Sequence, residues 1–214
     1  MIDRLHYISQ KNNQYDHIEA IENALISGCK WIQLRVKNEP ENIVLSYAVE
    51  AKKLCEQYGA KLIINDFPEV AKAISAYGVH LGLLDMPVAE ARKIVGSDLI
   101  IGGTANTYEN ILQRINDGAD YVGLGPYRFT TTKENLSPVL GFEGYQKITA
   151  KLKAANIETP IIAIGGILLS DVKSLRELGI HGVAVSGTIT YAENREKVVS
   201  EFYDSLNEEA FFIQ

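Results

Sequence analysis

The chain has 214 residues, of which 46% are hydrophobic, and a formal net charge of −6. That length suffices for one large core, and the negative balance gives no global attraction for nucleic acid or an anionic membrane surface, so a phosphate ligand would need local cations or a metal. Cys29 and Cys55 are the only cysteines and lie in no CxxC or Cys/His cluster, so they read as free thiols of a reducing compartment.

The opening MIDRLHYISQKNNQYDH has no basic segment leading into an apolar run, so a signal peptide is not expected. No stretch nears the ~20 apolar residues of a bilayer-spanning helix. The cytoplasm is the expected location.

In chain order, a short apolar run LHYI from Leu5 is followed by the helical segment HIEAIENALISG, then WIQLRV from Trp31, VLSYAVEAKKLCEQYG, and KLIIND from Lys61. EVAKAISAYG, VHLGLLD from Val79, VAEARKIVG, LIIGGTA from Leu99 and YENILQRINDGAD continue the alternation. YVGLGP from Tyr121, PIIAIGG from Pro160, SDVKSLRELGI and GVAVSG from Gly182 complete it. The eight strand-like runs are almost continuously hydrophobic, as expected of parallel strands buried on both faces. Gly28, Gly59, Gly78, Gly118 and Gly179 end helical segments just before strands, where a left-handed cap is wanted. Eight βα units fit a closed barrel or an open doubly wound sheet. No GxGxxG follows the first strand, and the count favours a (β/α)8 TIM barrel of the α/β class, one domain over residues 1–214.

In such a barrel the residues after each strand face the site. Strand two runs into Gln33, Arg35 and Lys37, which alternate along an extended segment and present an amide and two cations to one side, a set suited to a diphosphate or merely a solvated strand end. Asp66, after Asn65, and Asp85 end the next two strands. They suit a shared hard cation such as Mg2+, or each is the N-cap of its following helix. Residues 125–141 form a long polar excursion with Thr130, Thr131, Thr132 and Lys133, offering hydroxyl donors and a charge for a departing phosphate, or an ordinary surface loop. Gly165, Gly166 and Ile167, with Ser186, Gly187 and Thr188, end the last two strands, where many barrels cradle a phosphate with backbone N–H groups.

Six motifs at strand ends, in this order, resemble the thiamine phosphate synthase family: QLRVK at 33–37, ND at 65–66, GVHLGLLD at 78–85, DYVGLGP at 120–126, TTTK at 130–133 and AIGGI at 163–167. The resemblance implies a transferase that joins a hydroxymethylpyrimidine diphosphate to a thiazole phosphate and releases diphosphate. It implies that Gln33, Arg35, Lys37, Asn65, Thr104 and Lys133 hold the pyrimidine diphosphate, with Arg35, Lys37 and Lys133 stabilising its departing charge. Asp66 and Asp85 match the family's Mg2+ ligands. Thr130, Thr131, Thr132, Gly165, Gly166, Ser186 and Gly187 match the thiazole phosphate side. The partners implied are small molecules, with a homo-oligomer left open.

The chain departs from the family at three places. Thr104 and Asn106 stand where the family often has serine and then histidine. SGTI follows strand eight in place of an aliphatic residue and serine, leaving the Ser186 side-chain contact in doubt. YRF precedes the threonines, so Arg128 reads as a surface charge or an extra phosphate contact. His80, inside strand four, reads as a packed residue. The competing readings are a thiazole tautomerase of the sister group, which needs no diphosphate apparatus and would miss a histidine at position 106, and a non-catalytic phosphate-ligand barrel, which needs no metal carboxylates.

Overall fold

The computed structural model describes residues 1–130 and 137–208. Eight parallel strands close in sequence order, β1 pairing with both β2 and β8. They are β1 (Leu5–Ile8), β2 (Trp31–Leu34), β3 (Lys61–Asn65), β4 (Gly78–Leu81), β5 (Ile100–Ala105), β6 (Tyr121–Leu124), β7 (Ile161–Ile164) and β8 (Gly182–Val185). The helices are α1 (His17–Ile26), α2 (Glu41–Gln57), α3 (Pro68–Ala73), α4 (Val88–Val95), α5 (Tyr108–Asn116), α6 (Gly141–Ala154), α7 (Val172–Glu177), α8 (Gly187–Thr190) and α9 (Arg195–Asn207). The (β/α)8 barrel is as expected.

Local chemistry explains the element ends. Asp16 caps α1 by accepting from the N–H groups of Ile18 and Glu19, and Glu19 reaches back to the Asp16 N–H, a reciprocal capping box. The buried face of α1, at His17, Ala20, Ile21, Ala24 and Leu25, follows the 3.6-residue period that packs a helix on a barrel wall. Gly28, Gly59, Gly118 and Gly179 do adopt positive φ. Gly78 does not: it begins β4, and the left-handed residue after α3 is Ser75 at φ 51°. Gly78 lacks a side chain because a Cβ there would lie 2.5 Å from the Ile100 carbonyl oxygen of the neighbouring strand.

Two apolar clusters result. One fills the space between strands and helices, and the other fills the lumen with Ile8, Trp31, Ile63, Tyr121, Ile162 and Ala184. His6 stacks on Trp31 with ring centroids 4.3 Å apart, and Tyr121 meets both rings edge-on. Tyr121 crosses the lumen only because β5 offers glycine opposite: a Cβ on Gly102 would sit 2.1 Å from the phenol ring. The lower lumen is thereby a packed plug. Polar side chains are left to the carboxyl ends of the strands. Cys29 and Cys55 are buried and unpaired with each other, and no helix among the described residues is long and apolar enough to cross a membrane.

Candidate active site

One strand pleat above the plug, inward-facing positions turn polar. Gln33, 3% exposed, donates from Nε2 to Asn65 Oδ1 at 2.7 Å across the β2–β3 ladder, where Gln33 pairs with Ile63. Asn65 Nδ2 is buried and meets no partner among the described residues. A buried donor without an acceptor carries a desolvation penalty of ~1–3 kcal/mol, so this atom suits a ligand acceptor that the protein does not itself supply. On the other side of the lumen, His80 lies between the Tyr121 hydroxyl, 3.1 Å from Nδ1, and the Thr104 hydroxyl, 3.0 Å from Nε2. The packed reading of His80 holds, and the residue also fixes Thr104.

Asp66 and Asp85 are not helix caps. The N-cap of α3 is Phe67, followed by Pro68, and the N-cap of α4 is Pro87. Asp66 instead takes a left-handed backbone, φ 69°, one that asparagine and aspartate tolerate and that recurs at functional sites. It forms a salt bridge with Lys37, and the Asp85 carboxyl lies close enough to act on it electrostatically. Burial, then the neighbouring Asp85 carboxyl, pushes the Asp66 carboxyl up to about 6 against the opposing pull of Lys37. Burial raises Asp85 as well, but the Asp66 carboxyl, Lys37 and the Gly82 N–H outweigh it and hold Asp85 below the ordinary carboxylate value. Gly82 donates to Asp85 Oδ2 at 2.6 Å, and a Cβ at Gly82 would lie 2.5 Å from that oxygen.

Two neighbouring, partly buried carboxylates form a site that favours added positive charge. Among the described residues no group of three or more His, Cys, Asp or Glu gathers to hold a metal. Two aspartate carboxylates are the donor chemistry of a hard cation that completes its shell with water and phosphate oxygens. Arg35 follows Gln33 beyond the end of β2, its N–H held 3.0 Å from Ser9 Oγ, which in turn lies 3.1 Å from His17 Nδ1. Ser9 and His17, at the mouth of β1, carry no recognisable motif, and their part in placing Arg35 emerges only from the tertiary contact.

The β6, β7 and β8 ends are stitched to one another. Arg128 donates to the Asp171 carboxylate through both Nη atoms, at 2.5 and 2.6 Å, and to the Gly166 carbonyl at 2.8 Å. It clamps the two loops together while its side chain stays 42% exposed, as a charge at the surface. Gly165 and Gly166 have φ values of 95° and 67°, and Cβ atoms there would lie 2.6 Å from Pro126 and 2.8 Å from Arg128 Cβ. Their missing side chains thus admit the β6 loop. Thr188 Oγ1 donates to the Ile167 carbonyl at 2.9 Å, joining β8 to β7. Ser186 Oγ donates to Gln10 Oε1 at 3.0 Å, and Gly187 lies under the Tyr191 ring. Thr130 is half-buried at the edge of the described chain, whereas Thr131, Thr132 and Lys133 lie outside the described residues. Asn106 spans both ends of that excursion, donating from Nδ2 to the Gly125 and Pro138 carbonyls at 2.9 Å each.

Residues 5–189 match the family model described as thiamine monophosphate synthase. The chain is 50% identical over 206 residues to a thiamine-phosphate synthase of Flavobacterium johnsoniae, covering 96% of this chain and 97% of that protein. It is 51% identical over 190 residues to a thiamine-phosphate synthase of Phocaeicola vulgatus, covering 89% and 91%. A solved thiamine phosphate pyrophosphorylase of Pyrococcus furiosus superposes with a TM-score of 0.82 at 31% identity, covering 96% of each chain.

Proposed function

The chain belongs to the thiamine monophosphate synthase family, and from that premise we propose that it condenses 4-amino-2-methyl-5-hydroxymethylpyrimidine diphosphate with thiazole phosphate to give thiamine phosphate and diphosphate. The whole chain acts as one barrel domain, in the cytoplasm, on small molecules, with Mg2+.

In this reading the orphaned Asn65 Nδ2 and the Gln33 amide meet the pyrimidine diphosphate on one side of the lumen, and the Thr104 hydroxyl held by His80 meets it on the other. Asp66 and Asp85 would hold Mg2+, which would supply positive charge beside the diphosphate. Arg35, Lys37 and Lys133 add to that charge. The bond between the exocyclic methylene and the diphosphate oxygen breaks with its electron pair leaving on diphosphate, and the aminopyrimidine ring disperses the cation left behind. The thiazole nitrogen lone pair then forms the new C–N bond. No protein nucleophile is needed, and the work of the site is to orient two substrates, stabilise departing charge and exclude water. Thr130, Thr131, Thr132, Gly165, Gly166, Ser186 and Gly187 take the thiazole phosphate. With Ser186 Oγ turned to Gln10, backbone N–H groups are the better donors there.

The observation that favours this reading over a tautomerase or a binding barrel is the Lys37, Asp66 and Asp85 cluster, in which neither aspartate has a capping role to explain it. A tautomerase has no diphosphate to neutralise, and Asn106 is committed to backbone carbonyls. The deciding experiment measures diphosphate release by the purified protein given both substrates, each alone, and with or without Mg2+. Release that requires both substrates and metal, with thiamine phosphate formed, is expected. Isomerised thiazole phosphate without diphosphate release would replace this reading with the tautomerase.

A further inference from the structure

Arg114 is a buried arginine, only 7% exposed as a residue. It lies on the buried face of α5 beside Ile111, outside the barrel wall and behind the site. Burying a cation is unfavourable unless it is hydrogen-bonded, and two backbone carbonyls on neighbouring strand ends accept from this one. Nε donates to the Thr104 carbonyl at 3.1 Å, and Nη2 donates to the Gly82 carbonyl at 3.0 Å.

Each carbonyl belongs to a residue tied to the site. Thr104 turns its hydroxyl to His80, and Gly82 offers its N–H to the Asp85 carboxylate. The surroundings are shaped for this arrangement: a Cβ on Gly103 would lie 2.8 Å from Arg114 Cδ. A planar, forked donor on a helix thus spans the end of β5 and the turn after β4. A methionine would pack against the same wall with neither hydrogen bond.

We infer that Arg114 is a positioning residue, which acts through the Thr104 and Gly82 carbonyls to set the pyrimidine-side hydroxyl and the metal-side carboxylate at one fixed separation. It therefore couples metal affinity to pyrimidine diphosphate binding without touching either ligand. The inference rests on the proposed roles of Thr104 and Asp85.

The test compares Arg114→Met and Arg114→Lys with the unaltered protein, measuring Mn2+ affinity by electron paramagnetic resonance with and without pyrimidine diphosphate, the KM of each substrate, and Tm. Loss of an outer contact to a metal site weakens affinity by about 10- to 100-fold. Arg114→Met should accordingly weaken Mn2+ binding and raise the KM for pyrimidine diphosphate by about tenfold, with the KM for thiazole phosphate within about twofold of its starting value. Arg114→Lys should fall between, and it decides the matter alone if the methionine variant does not fold. A lower Tm with unchanged Mn2+ affinity and unchanged KM values would reduce Arg114 to wall packing and overturn the inference, as would an equal rise in both KM values. Asp85→Asn and Thr104→Val serve as references. If these leave Mn2+ affinity and the pyrimidine KM untouched, the site assignment itself fails; if they are impaired and the Arg114 variants are not, only the positioning role fails.

Discussion

The Arg128 guanidinium lies in a fork on Asp171, Nη1 2.5 Å from Oδ2 and Nη2 2.6 Å from Oδ1, and so joins the loop after β6 to the turn before α7. The Asp171 side chain is 8% exposed and also accepts from the Leu168 N–H. Burial acts to raise its pKa, but Arg128 and that N–H prevail and hold it below the usual carboxylate range.

Arg128→Met leaves this nearly buried carboxylate without its counter-charge, and we expect a loss of about 1–3 kcal/mol in stability. It also frees the Gly166 carbonyl, so the KM for thiazole phosphate should rise severalfold while that for pyrimidine diphosphate stays nearly constant. Thermal unfolding and steady-state kinetics read both effects, and an unaltered Tm would mean that the fork contributes nothing. A double-mutant cycle with Asp171→Asn isolates the pair.

Asp66→Ala should abolish most Mg2+-dependent turnover, by about 100-fold or more, because one of two metal carboxylates is gone, while circular dichroism remains that of the intact barrel. In the unaltered protein the metal must displace a proton from a carboxyl raised to about 6, so apparent Mg2+ affinity should hold above that pH and fall as the pH is lowered through it. Mg2+ titrations at several pH values check the sign; affinity independent of pH between 7 and 5 would refute the pairing.

Asn65→Ala removes both the acceptor for Gln33 and the unpartnered Nδ2. One lost hydrogen bond to a charged ligand group is worth ~1.5–3 kcal/mol, so pyrimidine diphosphate affinity measured by calorimetry should drop by roughly 10- to 150-fold. Stability should fall by only about 1 kcal/mol, since the unsatisfied Asn65 donor leaves with the side chain while Gln33 Nε2 loses its acceptor. Undiminished affinity would take Asn65 out of the binding set.

Lys133→Ala should slow diphosphate departure by about 100-fold, in line with loss of one charge-stabilising group, and leave thiazole phosphate binding near its original strength. Rapid-quench single turnovers separate the two steps. A normal rate of bond cleavage would sink the role proposed for this lysine.

Acid should unfold the protein through its buried histidines. Burial brings His6 down to about 3, against the raising effect of the Asp3 carbonyl, and His17 down to about 4. The unfolded chain takes up protons near pH 6.5 while the folded one does not, so stability is full above that value and declines as the pH falls towards 4. Asp66, raised in the folded state, opposes the decline by one proton. With two protons opposed by one, the net slope should be about 1.4 kcal/mol per pH unit at most, measured by denaturant unfolding from pH 7 to 4.5, and His6→Gln should flatten it.

Much of the site was legible because a barrel strand announces itself twice, by a short apolar run and by the polar residues that follow it. Gln33, Asn65, Asp66, Asp85 and Thr104 all stand at such ends and all gather at one mouth. Ser9, His17, His80 and Arg114 were illegible as functional supports, since each acts on a residue at least eight positions away. The clamp made by Arg128 was illegible for the same reason: its partner Asp171 lies 43 residues on, and local composition around an arginine says only that it is charged.

The sequence by itself determined the alternation of eight strands with helices, the barrel that this count implies, the family, and the residue types offered at each strand end, because periodicity and local motifs are properties of neighbouring residues. Only the tertiary structure decided that Asp66 and Asp85 gather beside Lys37 rather than cap helices, that Asn65 has a donor to spare, that Gly78 and Gly102 are glycines for the sake of the strands beside them, and that Arg114 holds two strand ends from behind. Each of these depends on barrel closure, which sets residues far apart in the chain a few ångströms from one another, and on the desolvation that closure brings. Distance and burial act through space, and no stretch of neighbouring residues records them.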